Sequence, residues 1–142
     1  MHIHPTDDQL KQVLKSRVEG PIVMINLLKF KSVEGSTEGA QKTYRKYMMS
    51  TARFLDGVGG RLLWSGSPQF VVIGDERDSW DQALLVEYPS RKAFLKLLSN
   101  PDYQKVHELR EQALESSALI MSVSDVNNLV VPDEIAQMEK AD

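Results

Sequence analysis

The chain has no cysteine among its 142 residues and only three histidines. Without cysteine there is no disulfide, no thiolate nucleophile and no cysteine ligand for a metal. His2 and His4 have the spacing of a metal-binding pair, but no third ligand stands near them in the sequence. We therefore expect neither a metal site nor a cofactor.

Long hydrophobic runs are also missing. No segment approaches the ~20 consecutive apolar residues of a membrane span. The N-terminus lacks the basic head and apolar stretch of a secretion signal. The sequence therefore predicts no membrane partner and a cytoplasmic location.

There is no excess of positive charge either, because 20 acidic residues outnumber 17 basic ones. No window clusters Lys and Arg with aromatic residues in the way that tracks a phosphate backbone, so we expect no nucleic-acid partner. The glycines at 57–60 follow a predicted helix, whereas a dinucleotide-binding turn follows a strand, and no Walker, Gly-x-Ser-x-Gly or His-Glu-x-x-His motif occurs. Nucleotide-binding, serine-hydrolase and zinc-protease functions thus have no support.

The composition that remains, 42% hydrophobic and 26% charged, is typical of one globular domain. A capping-box spacing at Thr6 and Gln9 predicts a first helix, and the nearly continuous apolar run at 22–30 predicts a strand covered on both faces. Residues 70–73 either pair with 61–65 as a hairpin or continue that strand past a bulge at 66–68. The predicted elements in chain order are helix 7–17, strand 22–30, helix 40–56, strand 61–65, strand 83–88, helices 91–98 and 101–115, strand 116–123, and one or two helical turns after Pro132.

After the first helix, the order strand, helix, strand, strand, helix, strand predicts an α+β fold of the ferredoxin-like βαββαβ type, an antiparallel sheet with its helices on one face. We expect an N-terminal helical extension at 1–20, the domain at 21–125 and a C-terminal tail at 126–142. The helices cover one face of the sheet only, yet the strand at 22–30 is apolar on both faces. A second copy of the chain is expected to cover the other face, which gives a homodimer.

Five short motifs then occur in a characteristic order, namely Asn26-Leu27-Leu28-Lys29-Phe30, Tyr44-Arg45-Lys46-Tyr47, Gly59-Gly60, Tyr88-Pro89-Ser90 and Pro101-Asp102-Tyr103-Gln104. With them, the segment from about Pro21 to Val123 resembles a bacterial family of unknown function in the dimeric α/β-barrel superfamily, which also contains antibiotic-biosynthesis-type monooxygenases. The resemblance implies a ferredoxin-like protomer, sheet-to-sheet dimerisation and a cavity between sheet and helices. It implies no reaction and supplies no catalytic residues.

Two polar residues interrupt the apolar strand at 22–30. Asn26 is predicted to point into a cavity and orient a ligand carbonyl or hydroxyl, or else to bond a neighbouring backbone group. Lys29 belongs to the opposite face and is expected to reach solvent with its stem packed on the core.

The helix at 101–115 carries Tyr103, His107 and Arg110 on one stripe. His107 is predicted to transfer a proton and Arg110 to hold an anionic oxygen. The alternative is an ordinary helical histidine, with Arg110 paired to Glu87, Glu111 or another acid.

Tyr44 is a third candidate catalytic residue, because a buried phenol can donate to an oxyanion. The predicted pocket lining consists of apolar and aromatic side chains that are otherwise core residues, namely Met24, Tyr47, Met48, Trp64 and Phe94. Trp80-Asp81 is either a lid over the pocket or a turn at the domain edge.

Together these residues predict a small-molecule-binding dimer that acts on, or simply binds, a small carbonyl-bearing or aromatic acid. Any enzyme would be a cofactor-independent monooxygenase or isomerase. The alternatives are a non-catalytic ligand-binding or structural dimer and an accessory subunit of a partner enzyme. An open pocket with His107 and Arg110 converging favours the first hypothesis.

Overall fold

A computed structural model describes residues 3–129, so His2 and the helical turns predicted after Pro132 lie outside the described residues. The four strands form one antiparallel sheet of order β2-β3-β1-β4, which confirms the predicted ferredoxin-like fold with its first and third strands central and an extra N-terminal helix. The elements are α1 (Asp7–Lys15), β1 (Ile22–Phe30), α2 (Glu38–Gly57), β2 (Arg61–Gly66), β3 (Gln82–Tyr88), α3 (Arg91–Leu98), α4 (Pro101–Ala113) and β4 (Leu114–Ser122).

Local sequence signals set the helix starts. The Thr6 hydroxyl accepts the backbone N–H of Gln9, and the Gln9 side chain accepts the backbone N–H of Thr6, so the predicted capping box starts α1. At α4 the Asn100 side chain accepts the N–H of Asp102 at 2.9 Å, and Pro101 occupies a position where no N–H is needed. These caps explain why the starts of both helices were predictable, whereas the predicted ends at 17 and 115 lie two residues beyond the observed ones.

One face of the sheet packs against the helices and forms the core. Along β1 this face carries Ile22, Met24 and Leu28, which are all 2% exposed or less. Tyr44 and Tyr47 of α2 meet them from the helix layer in the same buried cluster. The alternation predicted for β1 therefore holds for the covered face.

The opposite face of the sheet, here called the open face, carries Ile25, Leu27, Trp64, Leu85 and Ile120. Ile25 pairs with both Leu85 and Ile120, and Trp64 pairs with Leu85. Since directly opposed residues in antiparallel strands project to the same side, these side chains share one surface. Ile120 is 50% exposed and Trp64 46% exposed. Within residues 3–129 this apolar surface has no covering layer of helices.

The predicted strand at 70–73 is wrong. Strand β2 ends at Gly66, and residues 67–75 form neither a hairpin with it nor its continuation. Pro68, just after the end of β2, has no N–H for a ladder, and the outer edge of β2 is not paired by residues 67–75. Phe70 and Ile73 are consequently 82% and 93% exposed. The irregularity in β2 lies instead between Leu62 and Trp64.

The N-terminal helix is tied to α3 by Arg91. Its Nε donates to the Val18 carbonyl at 2.7 Å, and its Nη1 donates to the Val13 carbonyl at 2.7 Å. The guanidinium thereby satisfies carbonyl groups at and beyond the end of α1. No helix between residues 3 and 129 is long and apolar enough to cross a bilayer.

Candidate functional site

Helices α2 and α4 bring five side chains of the predicted site together. Tyr44 and Tyr47 come from one face of α2, and Tyr103, His107 and Arg110 come from the stripe of α4 that faces it; these five residues are called the α2–α4 site. All three tyrosines and Arg110 are buried, and His107 is partly buried. Helical spacing predicted that Tyr103, His107 and Arg110 share one stripe of α4. Tertiary packing places that stripe against the tyrosines of α2.

Arg110 is a buried cation with neutral hydrogen-bond partners. Its Nη1 donates to the Ile3 carbonyl at 2.8 Å and its Nη2 to the Ser117 hydroxyl at 3.2 Å. The alternative pairing with Glu87 or Glu111 does not form, because Glu87 pairs with Arg61. Glu111 lies beside two histidines instead. Among residues 3–129, no carboxylate oxygen lies within ion-pair distance of this guanidinium.

Each of the three tyrosine hydroxyls at the site has a polar neighbour, which is another tyrosine or Arg110. The hydroxyls of Tyr47 and Tyr103 are hydrogen-bonded at 2.7 Å. Burial raises the pKa of Tyr44 to about 12, although the Arg110 guanidinium beside it partly offsets that rise. Burial likewise raises the pKa of Tyr47 and of Tyr103. Near neutral pH all three phenols therefore keep their protons, and one of Tyr47 and Tyr103 donates its proton to the other.

His107 packs against the tyrosine pair, with ring centroids 6.2 Å from Tyr47 and 5.7 Å from Tyr103. Burial lowers its pKa, as do electrostatic interactions with Arg110 and His4, while Glu111 partly offsets the lowering. The imidazole is therefore mainly neutral near pH 7, which suits a group that accepts a proton.

Asn26 lies on the same side of the sheet as α4. It is opposite Leu119 on β4, and its diagonal neighbour is Ser117, the partner of Arg110. Diagonal neighbours lie roughly 7–8 Å apart. The Asn26 amide donates to the Met24 carbonyl at 3.2 Å. Leu119 is 45% exposed, so the covered face is open to solvent beside Asn26.

Met24 and Phe94, two of the predicted lining residues, are core residues that are 2% and 5% exposed. The ring of Phe94 meets Tyr88 edge-on, with centroids 5.2 Å apart. Trp64 is not brought to the α2–α4 site. The bulge between Leu62 and Trp64 shifts the alternation of β2 by one residue, so Trp64 projects to the open face.

Lys29 and Trp80-Asp81 lie near the end of β1 and just before the start of β3. The Lys29 ammonium lies 6.0 Å from the centre of the Trp80 ring. The Asp81 carboxylate accepts the backbone N–H of Phe30 at 2.8 Å, which fixes the end of β1. In this arrangement Asp81 acts as a turn residue at the domain edge.

Four contributions to the site escaped the sequence patterns. The Ile3 carbonyl and His4 are about a hundred residues before α4 in the chain, and Ser117 lies on the next element, β4, so no helical spacing links them to the site. Glu111 could have been found, because it stands one helical turn after His107.

A separate apolar groove between α1 and α3 shares no residue with the site and is lined by Leu10, Leu14, Lys92, Leu95, Lys96, Leu98 and Ser99.

The raised tyrosine pKa values give a first testable prediction. All four tyrosines of the chain, including Tyr88, have a pKa raised chiefly by burial. A folded-state pKa above the unfolded value of about 10 means that the associated stability is fully present below pH 10 and is lost as the pH rises further. Absorbance titration at a phenolate wavelength should show little ionisation at pH 10 in the native protein. The same chain in denaturant should then be about half ionised, and equal curves would contradict the burial.

A family model described as "Domain of unknown function (DUF1330)" matches residues 37–124, which is more than half of the chain. No curated protein sequence matches significantly. A solved protein of unknown function from Rhodopseudomonas palustris, RPA0582, is 29% identical with a TM-score of 0.78, covering 89% of this chain and 98% of its own.

Two more distant structures share the fold. A dimeric protein of unknown function with a ferredoxin-like fold from Bacteroides fragilis is 12% identical with a TM-score of 0.54, covering 73% of this chain and 96% of its own. The hydroxynitrile lyase of Passiflora edulis is 14% identical with a TM-score of 0.57, covering 78% of this chain and 99% of its own. These matches confirm the ferredoxin-like fold, and the family model confirms the predicted resemblance to a family of unknown function.

Proposed function

The chain belongs to the DUF1330 family, a domain of unknown function. We propose that it is a homodimer that binds a small carbonyl-bearing or aromatic acid at the α2–α4 site. The observation that carries the proposal is the burial of Arg110 among neutral partners. Burying a guanidinium without a counter-ion costs free energy, which a ligand carboxylate or enolate oxygen would recover. The fork of donors that now holds the Ile3 carbonyl matches such an anion.

The surrounding groups suit a cofactor-independent proton transfer. Tyr44, beside Arg110, donates a hydrogen bond to the developing oxyanion, and neutral His107 accepts a proton from the ligand and returns it. Asn26 orients the ligand carbonyl from the sheet side. The roles of Arg110, His107, Tyr44 and Asn26 are those predicted from the sequence, and the position of Asn26 on the sheet face below α4 supports them.

The fold itself supports an enzyme only weakly. A hydroxynitrile lyase adopts it, but the same fold in other proteins carries different chemistry or none that is known. Fold analogy therefore does not choose the reaction. The class proposed here, proton transfer next to a carbonyl, depends on the side chains of the α2–α4 site alone.

The homodimer forms through the open face. That surface offers Ile120, Trp64 and three further apolar side chains, and no helix within residues 3–129 covers them. The exposed apolar loop that contains Phe70 and Ile73 adds to the surface to be covered. The structural relative from Bacteroides fragilis is described as dimeric.

The proposal also includes a domain at 21–125, a cytoplasmic location and no nucleic-acid partner.

One observation favours the alternative of a non-catalytic binding or structural dimer. No buried side-chain nitrogen or oxygen in residues 3–129 lacks a hydrogen-bond partner. A satisfied polar cluster rigidifies a core without needing a ligand. An accessory subunit of a partner enzyme would use the same dimer.

Substitution of Arg110 by methionine separates these functions. Methionine fills similar space without charge. If Arg110 serves to bind a ligand, Arg110→Met should lower the free energy of unfolding by no more than about 1 kcal/mol, or raise it. Affinity for benzoate or pyruvate, measured by calorimetry, should fall by about 2–4 kcal/mol, at least about thirtyfold in Kd. Native mass spectrometry of the purified wild-type protein would identify any retained acid.

Arg53→Met is the matched control, because Arg53 lies exposed on α2 and its guanidinium stacks on Phe54, 4.5 Å from the ring centre. This variant should bind the acids as the wild type does. The proposal fails if Arg110→Met keeps full affinity, or if it unfolds the protein without any wild-type binding of small acids. That second result would support the structural alternative.

A further inference from the structure

The N-terminal arm, residues 3–5, places a second imidazole beside α4. His4 Nε2 lies 3.2 Å from Glu111 Oε1, and His107 Nδ1 lies 3.7 Å from the same oxygen. The three potential ligand atoms all lie within 4.8 Å of one another. The two imidazole rings are 5.6 Å apart between centroids.

Two features of the chain hold this cluster together. His107 and Glu111 are four residues apart on α4, so they project from the same face one turn apart. The arm is held against that helix by the hydrogen bond from Arg110 to the Ile3 carbonyl, directly before His4. The histidine pair therefore arises from packing between residues more than a hundred positions apart.

We propose that His4, His107 and Glu111 bind a divalent transition-metal ion of the Zn²⁺ type, with a fourth coordination position open to water or an anion. Two imidazole nitrogens and one carboxylate oxygen favour Zn²⁺, Ni²⁺ or Cu²⁺ over Mg²⁺ and Ca²⁺, which prefer oxygen ligands. The donor set of two histidines and one glutamate is that of catalytic zinc sites.

The geometry requires only small movements. Tetrahedral bonds of about 2.0–2.2 Å place neighbouring ligand atoms about 3.3–3.6 Å apart. The separations of 3.2 and 3.7 Å lie just below and just above that range. The remaining contraction between the histidines falls to His4, whose side chain is 55% exposed on the arm.

The charge balance limits the affinity. Glu111 contributes one negative charge to the site, while Arg110 is a cation on the same helix. Its guanidinium is held toward Ser117 and the Ile3 carbonyl, on the sheet side of α4. We expect micromolar binding of Zn²⁺, weaker than a closed structural site.

The metal would occupy Nδ1 of His107 and leave Nε2 for ligand chemistry. The inference does not rest on the proposed acid-binding function, since neither Arg110 nor a tyrosine is a ligand. Arg110→Met tests acid binding, and the variants below test the metal.

The experiment titrates Zn²⁺ into the full, tag-free, metal-stripped chain by competition with a chromogenic chelator. The wild type should bind one Zn²⁺ per chain, and Co²⁺ should give the visible bands of a tetrahedral site. Loss of a group that merely supports a ligand weakens metal binding by about 10- to 100-fold, so His107→Ala, His4→Ala and Glu111→Gln should each weaken it at least about tenfold. Glu108→Gln, an exposed charge change on the same helix, should leave Kd unchanged.

Two results would overturn the proposal. If His107→Ala binds Zn²⁺ with wild-type affinity, His107 is not a ligand, and the metal would instead be bound by the His2 and His4 pair of the N-terminus. Wild-type affinity in Glu111→Gln would remove the carboxylate from the site. Glu111 is 45% exposed at its side chain, so this variant should remain folded and give a clear answer even if His107→Ala does not.

Discussion

Replacing Ile120 with glutamate is expected to turn the dimer into a monomer, so that the mass in solution falls from twice 16.1 kDa to 16.1 kDa. Ile120 is 50% exposed in the single chain, and the monomer should therefore tolerate the carboxylate. In a sheet-to-sheet dimer the same side chain is buried. Because a symmetric interface repeats each substitution, two unpaired carboxylates would be buried at a combined cost of roughly 4 kcal/mol or more.

Analytical ultracentrifugation over a range of concentrations measures this change. Met49→Glu is the matched control, since Met49 is 81% exposed on α2, in the helix layer away from the open face. That variant should remain a dimer. A wild-type protein that is monomeric at micromolar concentration, or an Ile120→Glu variant that stays dimeric, would contradict dimerisation through the open face.

Replacing Leu28 with alanine is expected to give the largest loss of folding stability, about 2–5 kcal/mol. Leu28 lies on the central strand β1, is 0% exposed and belongs to the core between sheet and helices. Truncation leaves a cavity that the packed strands on both sides of β1 cannot close, since β3 and β4 hold its backbone.

Urea unfolding followed by circular dichroism measures this loss at two protein concentrations, because dimerisation makes apparent stability depend on concentration. Leu62→Ala is the control: Leu62 is 41% exposed on the edge strand β2, and its truncation should cost under about 1 kcal/mol. Equal losses in the two variants would mean that the core is not centred on the covered face of β1.

Most of the fold could be predicted from the sequence, because helix caps and hydrophobic periods are signals that extend over only a few residues. The capping residues Thr6 and Asn100 satisfy N–H groups within three residues of themselves, so helix starts can be read directly. The βαββαβ order correctly placed β1 among the central strands, and its apolar run agrees with that position. The strand predicted at 70–73 failed because β-propensity is a local signal, which does not report whether the chain turns back to pair with β2.

The candidate site was predictable only in part. The stripe of Tyr103, His107 and Arg110 follows from helical spacing, whereas its contact with the tyrosines of α2 depends on how the two helices pack. The partners of Arg110 were not predictable, because Ser117 and the Ile3 carbonyl come from other parts of the chain.

The sequence by itself thus determined the strand that runs from Ile22 to Phe30, the helices and their order, because hydrophobic period and caps act over a few residues. Only the tertiary structure decided which side chains meet. One bulge in β2 moved Trp64 to the open face, since a shift of one residue reverses the side on which a strand projects. The docking of the N-terminal arm brought His4 to His107, because chain packing joins residues that no sequence period connects.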